Sequence, residues 1–155
     1  MATPTTYKDV VETFRTIATN HLAVKQFQVG ELSDLDIQNE QHPFQRFPLV
    51  FMIPRTSEMD RFGKLTLGFT FHVCDIAEEQ EALQINTHNN CLMIMQDIFS
   101  KVLLTSAEEL DLDIETPIFV EPYFERFNNC LYGWAAEINV IVSSPFNLCE
   151  SAFAS

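Results

Sequence analysis

Positive charge is scarce in this chain. Nine Lys and Arg stand against 22 Asp and Glu in 155 residues, a formal net charge of −13 at pH 7. Affinity for nucleic acid rests mainly on neutralising phosphates with Lys and Arg, so the composition argues against a protein that grips DNA or an anionic membrane. A protein that lets DNA slide past without adhering fits the balance, because like charge repels. Acidity that only aids solubility fits it too. Glycine is equally sparse: four residues supply no phosphate-cradling loop, and neither a P-loop nor GxGxxG occurs. GxSxG and HExxH are absent as well. The four cysteines, Cys74, Cys91, Cys130 and Cys149, lie 17, 39 and 19 residues apart. That spacing contains no CxxC pair and gives no zinc motif; reduced, mostly buried thiols are expected. No apolar run approaches the ~20 residues that span a bilayer. The opening MATPTTYKDVV has no basic start followed by an apolar core, so no signal peptide is expected, and a reducing cytosol is where the chain should be made.

What is present reads as one globular domain. The hydrophobic fraction is 46% and charged residues are 20%, ordinary values for a folded protein. A chain of this size buries roughly 68–70% of its unfolded surface, enough core without disulfides or metal. Fourteen phenylalanines are unusual. Each buries a large apolar area with no polar group to satisfy, which suits either a phenylalanine-rich core or contacts between subunits.

The clearest periodicity lies near the end. From Tyr132, every second residue is apolar: Tyr132, Trp134, Ala136, Ile138, Val140 and Val142. A period of two predicts a strand with one face on a core. The run Ile118-Phe119-Val120 precedes it across a polar corner containing Asn128-Asn129, whose residue type tolerates the positive φ of a tight connection. This predicts a hairpin. Upstream, Thr6 with Asp9 three residues on has capping-box spacing. Tyr7, Val10, Val11, Phe14, Ile17, Ala18, His21 and Leu22 then recur at helical intervals, predicting about twenty residues of amphipathic helix. Residues 26–45 are polar and irregular, with a short extended piece expected around Phe27 to Val29. Phe47 to Ile53 is a continuous apolar run between Pro48 and Pro54, a buried strand with prolines at its ends. Arg55 to Gly63 reads as a charged, protruding loop. Leu65, Leu67, Phe69, Phe71 and Val73 then alternate with polar residues, so the two strands should form an antiparallel hairpin. Asp75 reads as the cap of a long helix reaching Leu104, about 39 Å at 1.5 Å per residue, with Gln84, His88 and Asn89 on a solvated face. Leu110, Leu112 and Ile114 alternate with acids as an edge strand with a charged outer face.

No catalytic constellation emerges. His21, His42, His72 and His88 have no partner at a diagnostic spacing. His72 and Cys74 share one strand face and could in principle pair as base and thiol; a strand packed on a helix explains both. No enzyme activity, cofactor or metal is expected.

The stretch from Phe119 to Cys149 carries a more specific signal. An apolar strand, EP-aromatic-x-ERF, an Asn turn, GW, a long strand and SPFNLC follow one another, with Glu121, Pro122, Glu125, Arg126, Phe127, Gly133, Trp134, Pro145, Leu148 and Cys149 as the matching residues. This resembles the C-terminal pattern of tail-terminator and tail-completion proteins of tailed-bacteriophage necks and tails. Upstream, one helix, FPLVFM at 47–52, a strand ending VCD at 73–75 and a long helix follow the same order. Asn128-Asn129 departs from the pattern in place of an acidic pair, as does the tail beyond Glu150.

The resemblance implies a single α+β domain over 1–155, with an antiparallel or mixed sheet of about four to six strands against two main helices and a loosely held tail at 150–155. It also implies a closed homo-oligomeric ring, six-fold or twelve-fold, in the virion. Its partners would be a portal-side ring, the tail tube and genomic DNA passing without specific binding, with no membrane. On that reading Arg55, Glu58, Asp60, Arg61, Glu125 and Arg126 are candidate ring-interface residues. Glu108, Glu109, Asp111 and Asp113 are candidate channel-facing acids. The alternative is a small cytosolic, non-enzymatic ligand-binding or regulatory α+β domain.

Overall fold

The computed structural model describes residues 6–30, 47–77, 80–104, 113–126 and 130–143. The tail at 150–155 lies outside them. The elements are α1 (Tyr7–Asn20), β1 (Gln26–Val29), β2 (Leu49–Met59), β3 (Lys64–Ile76), α2 (Glu81–Leu104), β4 (Asp113–Ile114), β5 (Phe119–Arg126) and β6 (Cys130–Ser143). The six strands form one mixed sheet in the order β1-β2-β3-β6, with β4 and β5 one after the other along the far side of β6. The architecture is α+β. β1 runs parallel to β2, so the sheet is not wholly antiparallel.

Alternation decides which side faces the helices. Val50 and Met52 of β2, Leu67, Phe69, Phe71 and Val73 of β3, and Ala136, Ile138, Val140 and Val142 of β6 share one buried cluster with both helices. Val10, Phe14 and Ala18 of α1, and Cys91, Met95, Ile98 and Phe99 of α2, cover it. Phe14, Phe71 and Phe99 meet at ring-centroid distances of 5.2 to 6.4 Å. Burying side chains of this size contributes roughly 1.5–3 kcal/mol each. The reverse face is also apolar at one end, where Phe47, Leu49, Phe51, Cys74 and Leu131 are buried together.

Several boundaries differ from the sequence reading. α1 is capped as expected, the Thr6 hydroxyl accepting from the Asp9 N–H at 3.1 Å. It ends at Asn20, however, after 14 residues. His21 turns extended there, and its Nδ1 accepts from the Ala23 N–H at 3.1 Å, a local bond that competes with another helical turn. β2 does not stop at Pro54 but runs on to Met59, so most of the expected charged loop is strand. Among the described residues β1 covers β2 only as far as Met52 and no strand pairs that side of β2 beyond it, a setting in which a proline costs no ladder bond. Asp75 is no helix cap: β3 continues through it, opposite Tyr132, and α2 opens at Glu81.

Candidate assembly interface

The expected interface residues divide sharply. Asp60 is used inside the β2–β3 turn. Its Oδ1 accepts from the Phe62 N–H at 2.8 Å and the Lys64 N–H at 2.9 Å. Its own N–H donates to the Lys64 carbonyl, its carbonyl accepts from Gly63, and Gly63 takes φ 92°, a backbone conformation glycine adopts at no steric cost. Arg55 sits in an intrachain pair across the reverse face, Nη1 to Glu137 Oε1 at 3.0 Å. The ladder is irregular between Arg55 and Glu58, and the Ser57 hydroxyl there accepts from the Gly68 N–H at 3.0 Å. Glu58 and Arg61 are exposed, and the Arg61 guanidinium lies 5.8 Å over the Phe62 ring.

Glu125 and Arg126 close β5 opposite Leu131 and Cys130; their side chains lie outside the described residues. So do Glu108, Glu109 and Asp111. Asp113 is exposed on β4, paired with Ile141.

What the sequence reading overlooked is apolar. Phe62 is 75% exposed and Met59 is 59% exposed at the turn, while Phe119 is 74% exposed at the start of β5. Val120 and Phe124 are also exposed. Phe119, Val120, Glu121 and Glu137 line a cleft of about 240 Å³ at the β5 edge. The available signal was a phenylalanine inside an otherwise hydrophilic turn.

A few titratable groups are withdrawn from solvent. His72 is buried on the reverse face with its ring 4.6 Å from Tyr123. Its Nδ1 has no hydrogen-bond partner among the described residues, and burial lowers its pKa to about 4. Cys74, on the same strand face, is fully buried and donates to the Leu49 carbonyl. Burial, with Asp75 nearby, pushes the Cys91 thiol up to about 12. A nucleophilic thiol needs exposure and a depressed pKa; both thiols are buried, and that of Cys91 is shifted the other way. His88 does not lie on a free solvated face. Its ring contacts those of Phe124, Tyr132 and Trp134, and its carbonyl accepts from the Trp134 indole at 2.9 Å.

A separate cleft of about 420 Å³ lies between α1 and α2, where Asp97 bonds His21 Nε2 at 2.8 Å beside Lys101. Among the described residues, no group of three or more His, Cys, Asp or Glu could hold a metal ion, and no helix is long and apolar enough to cross a membrane. No protein-family model matches the chain, and no characterised protein is significantly similar to it.

Proposed function

We propose that the chain is a structural subunit of a tailed-bacteriophage neck or tail, a tail-terminator or tail-completion protein that acts as a closed ring. Its work is mechanical and non-enzymatic: capping the tube, docking the neighbouring rings and leaving a channel for DNA. The acids at 108–113 are assigned to the bore, where like charge keeps DNA from adhering.

One observation carries this reading: large apolar side chains stand exposed on two separate parts of one sheet, Phe62 and Met59 at one turn and Phe119 on β5, an edge strand among the described residues, with Val120 and Phe124 exposed on the other face of that strand. A contiguous exposed apolar patch rimmed by polar residues is one mark of a contact with another protein, and two different patches on one subunit suit a ring. The order of helix, strand hairpin, long helix and closing hairpin is also the order that the resemblance implies. A second reading, a small ligand-binding domain, draws on the cleft between α1 and α2, whose volume falls in the range of small-molecule sites.

Native mass spectrometry of the purified chain separates them. A closed species of six or twelve copies is expected. A chain that stays monomeric or dimeric at high concentration would remove the ring.

A further inference from the structure

We infer that the β2–β3 turn of one copy docks into the β5 edge of the next, Phe62 entering the cleft formed by Phe119, Val120, Glu121 and Glu137 while Arg61 and Lys64 meet Glu121. The inference rests on the ring reading and names the contact that closes it.

The two surfaces complement each other in charge. Arg55, Arg61 and Lys64 place three of the chain's nine Lys and Arg within ten residues. Arg55 is already paired with Glu137. Arg61 and Lys64 have no acidic partner within ion-pair distance among the described residues, and Glu121 has no cationic one. An acidic chain thus carries unmatched cations beside an exposed phenylalanine on one corner, and an unmatched acid beside an exposed phenylalanine on another edge.

They also complement each other in size and rigidity. The cleft of about 240 Å³ falls below the 300–1,000 Å³ usual for small-molecule sites. A half-open cleft of this size takes one side chain rather than a small molecule, and Phe62 against Phe119 would form an aromatic pair beside the two glutamates. The four hydrogen bonds centred on Asp60 hold the turn before it docks, so little ordering is lost on association.

Geometry makes the contact intermolecular. The turn adjoins Lys64, opposite Ser143 at the end of β6, whereas Phe119 lies opposite Glu137. Six residues along β6 separate the two levels, roughly 20 Å at 3.3 Å per residue, and β6 itself stands between β3 and β5. A turn that cannot reach its own cleft must use another copy's. Two different patches in contact make a head-to-tail interface, which closes into a ring when the rotation allows. Pro122, in the middle of β5, has no N–H to offer an added strand, which favours side-chain docking over a continuous intersubunit sheet.

Charge exchange tests this in the full chain, with circular dichroism to establish folding and sedimentation velocity to read assembly. The double variant Arg61→Glu/Lys64→Glu and the single variant Glu121→Lys should each weaken assembly at least tenfold, and Phe62→Ser should do the same. Combining the three charge reversals should restore it. If the wild type forms rings and the reversals leave them unchanged, this contact is wrong and the ring stands. If the reversals disrupt assembly but their combination does not repair it, the pairing is wrong. Disruption by Val120→Pro with the Arg61 and Lys64 variants intact would assign the β5 edge to strand addition instead. A wild type that never assembles removes both the ring and the docking.

Discussion

His72 occupies a position that a hydrophobic residue would fill with less cost. It lies between Phe51 and Ala135 across the ladder, 5% exposed, with no hydrogen-bond partner for Nδ1 among the described residues. Burial holds its pKa near 4 against 6.5 for a free histidine. The sign of the linkage follows. Because the folded pKa is depressed, the unfolded chain takes up a proton first as pH falls, so stability is intact above about 6.5 and declines between there and about 4. A shift of this size corresponds to about 3 kcal/mol once both states are below their pKa values. Asp75 acts in the opposite sense, since burial raises its pKa and the folded state gains from its protonation. It is common to wild type and variant and cancels in their difference. Urea unfolding of His72→Leu should therefore show a shallower loss of stability than the wild type from pH 6.5 to 4.5, with no penalty at pH 7. Parallel curves would mean that another group carries the acid sensitivity.

At the scale of elements, β3 and β6 approach closely at Gly133, which leaves no room for a Cβ. A Cβ built there would stand 1.9 Å from the Val73 carbonyl oxygen and 2.7 Å from the Cys74 Cα, both backbone atoms with nowhere to yield. Gly133→Ala should cost on the order of 3 kcal/mol in urea unfolding, at the upper end for overpacking. A variant as stable as the wild type would show that the strands do not approach so closely. This gives the Gly133-Trp134 pair a physical meaning: the glycine lets β6 lie against β3, and the indole beside it reaches the His88 carbonyl of α2. The alternation at 132–142 and at 65–73 made β6, β3 and their buried face legible from sequence, because a period of two has one structural solution when one side is covered. Element ends were less legible, since they depend on neighbours. Pro54 ends a strand only where a partner needs its N–H, and Asp75 caps a helix only if the ladder lets go before it. The candidate assembly surfaces were the least legible. Arg55, Glu58, Asp60 and Arg61 stood out by charge, yet the structure engages Asp60 and Arg55 within the chain and leaves Phe62 outside.

At the scale of the whole molecule, net charge opposes any assembly of identical copies. By the size scaling for 155 residues, adjacent copies would stand about 40 Å apart centre to centre. Two bodies of −13 at that separation repel by about 5 kcal/mol at 0.01 M salt, where the Debye length is about 30 Å, but by only about 0.1 kcal/mol at 0.15 M, where it is about 8 Å. Against this, salt also weakens the ion pairs proposed between Arg61, Lys64 and Glu121. Exposed pairs are worth about 0.2–1 kcal/mol each, so their loss cannot match the relief of the long-range term. The apolar contact proposed between Phe62 and Phe119 does not depend on screening. Assembly should therefore strengthen as salt rises from 0.01 to 0.15 M, and sedimentation velocity across that range would show the larger species growing at the expense of the monomer. A ring that falls apart with added salt would mean that ion pairs, rather than the exposed phenylalanines, hold the copies together.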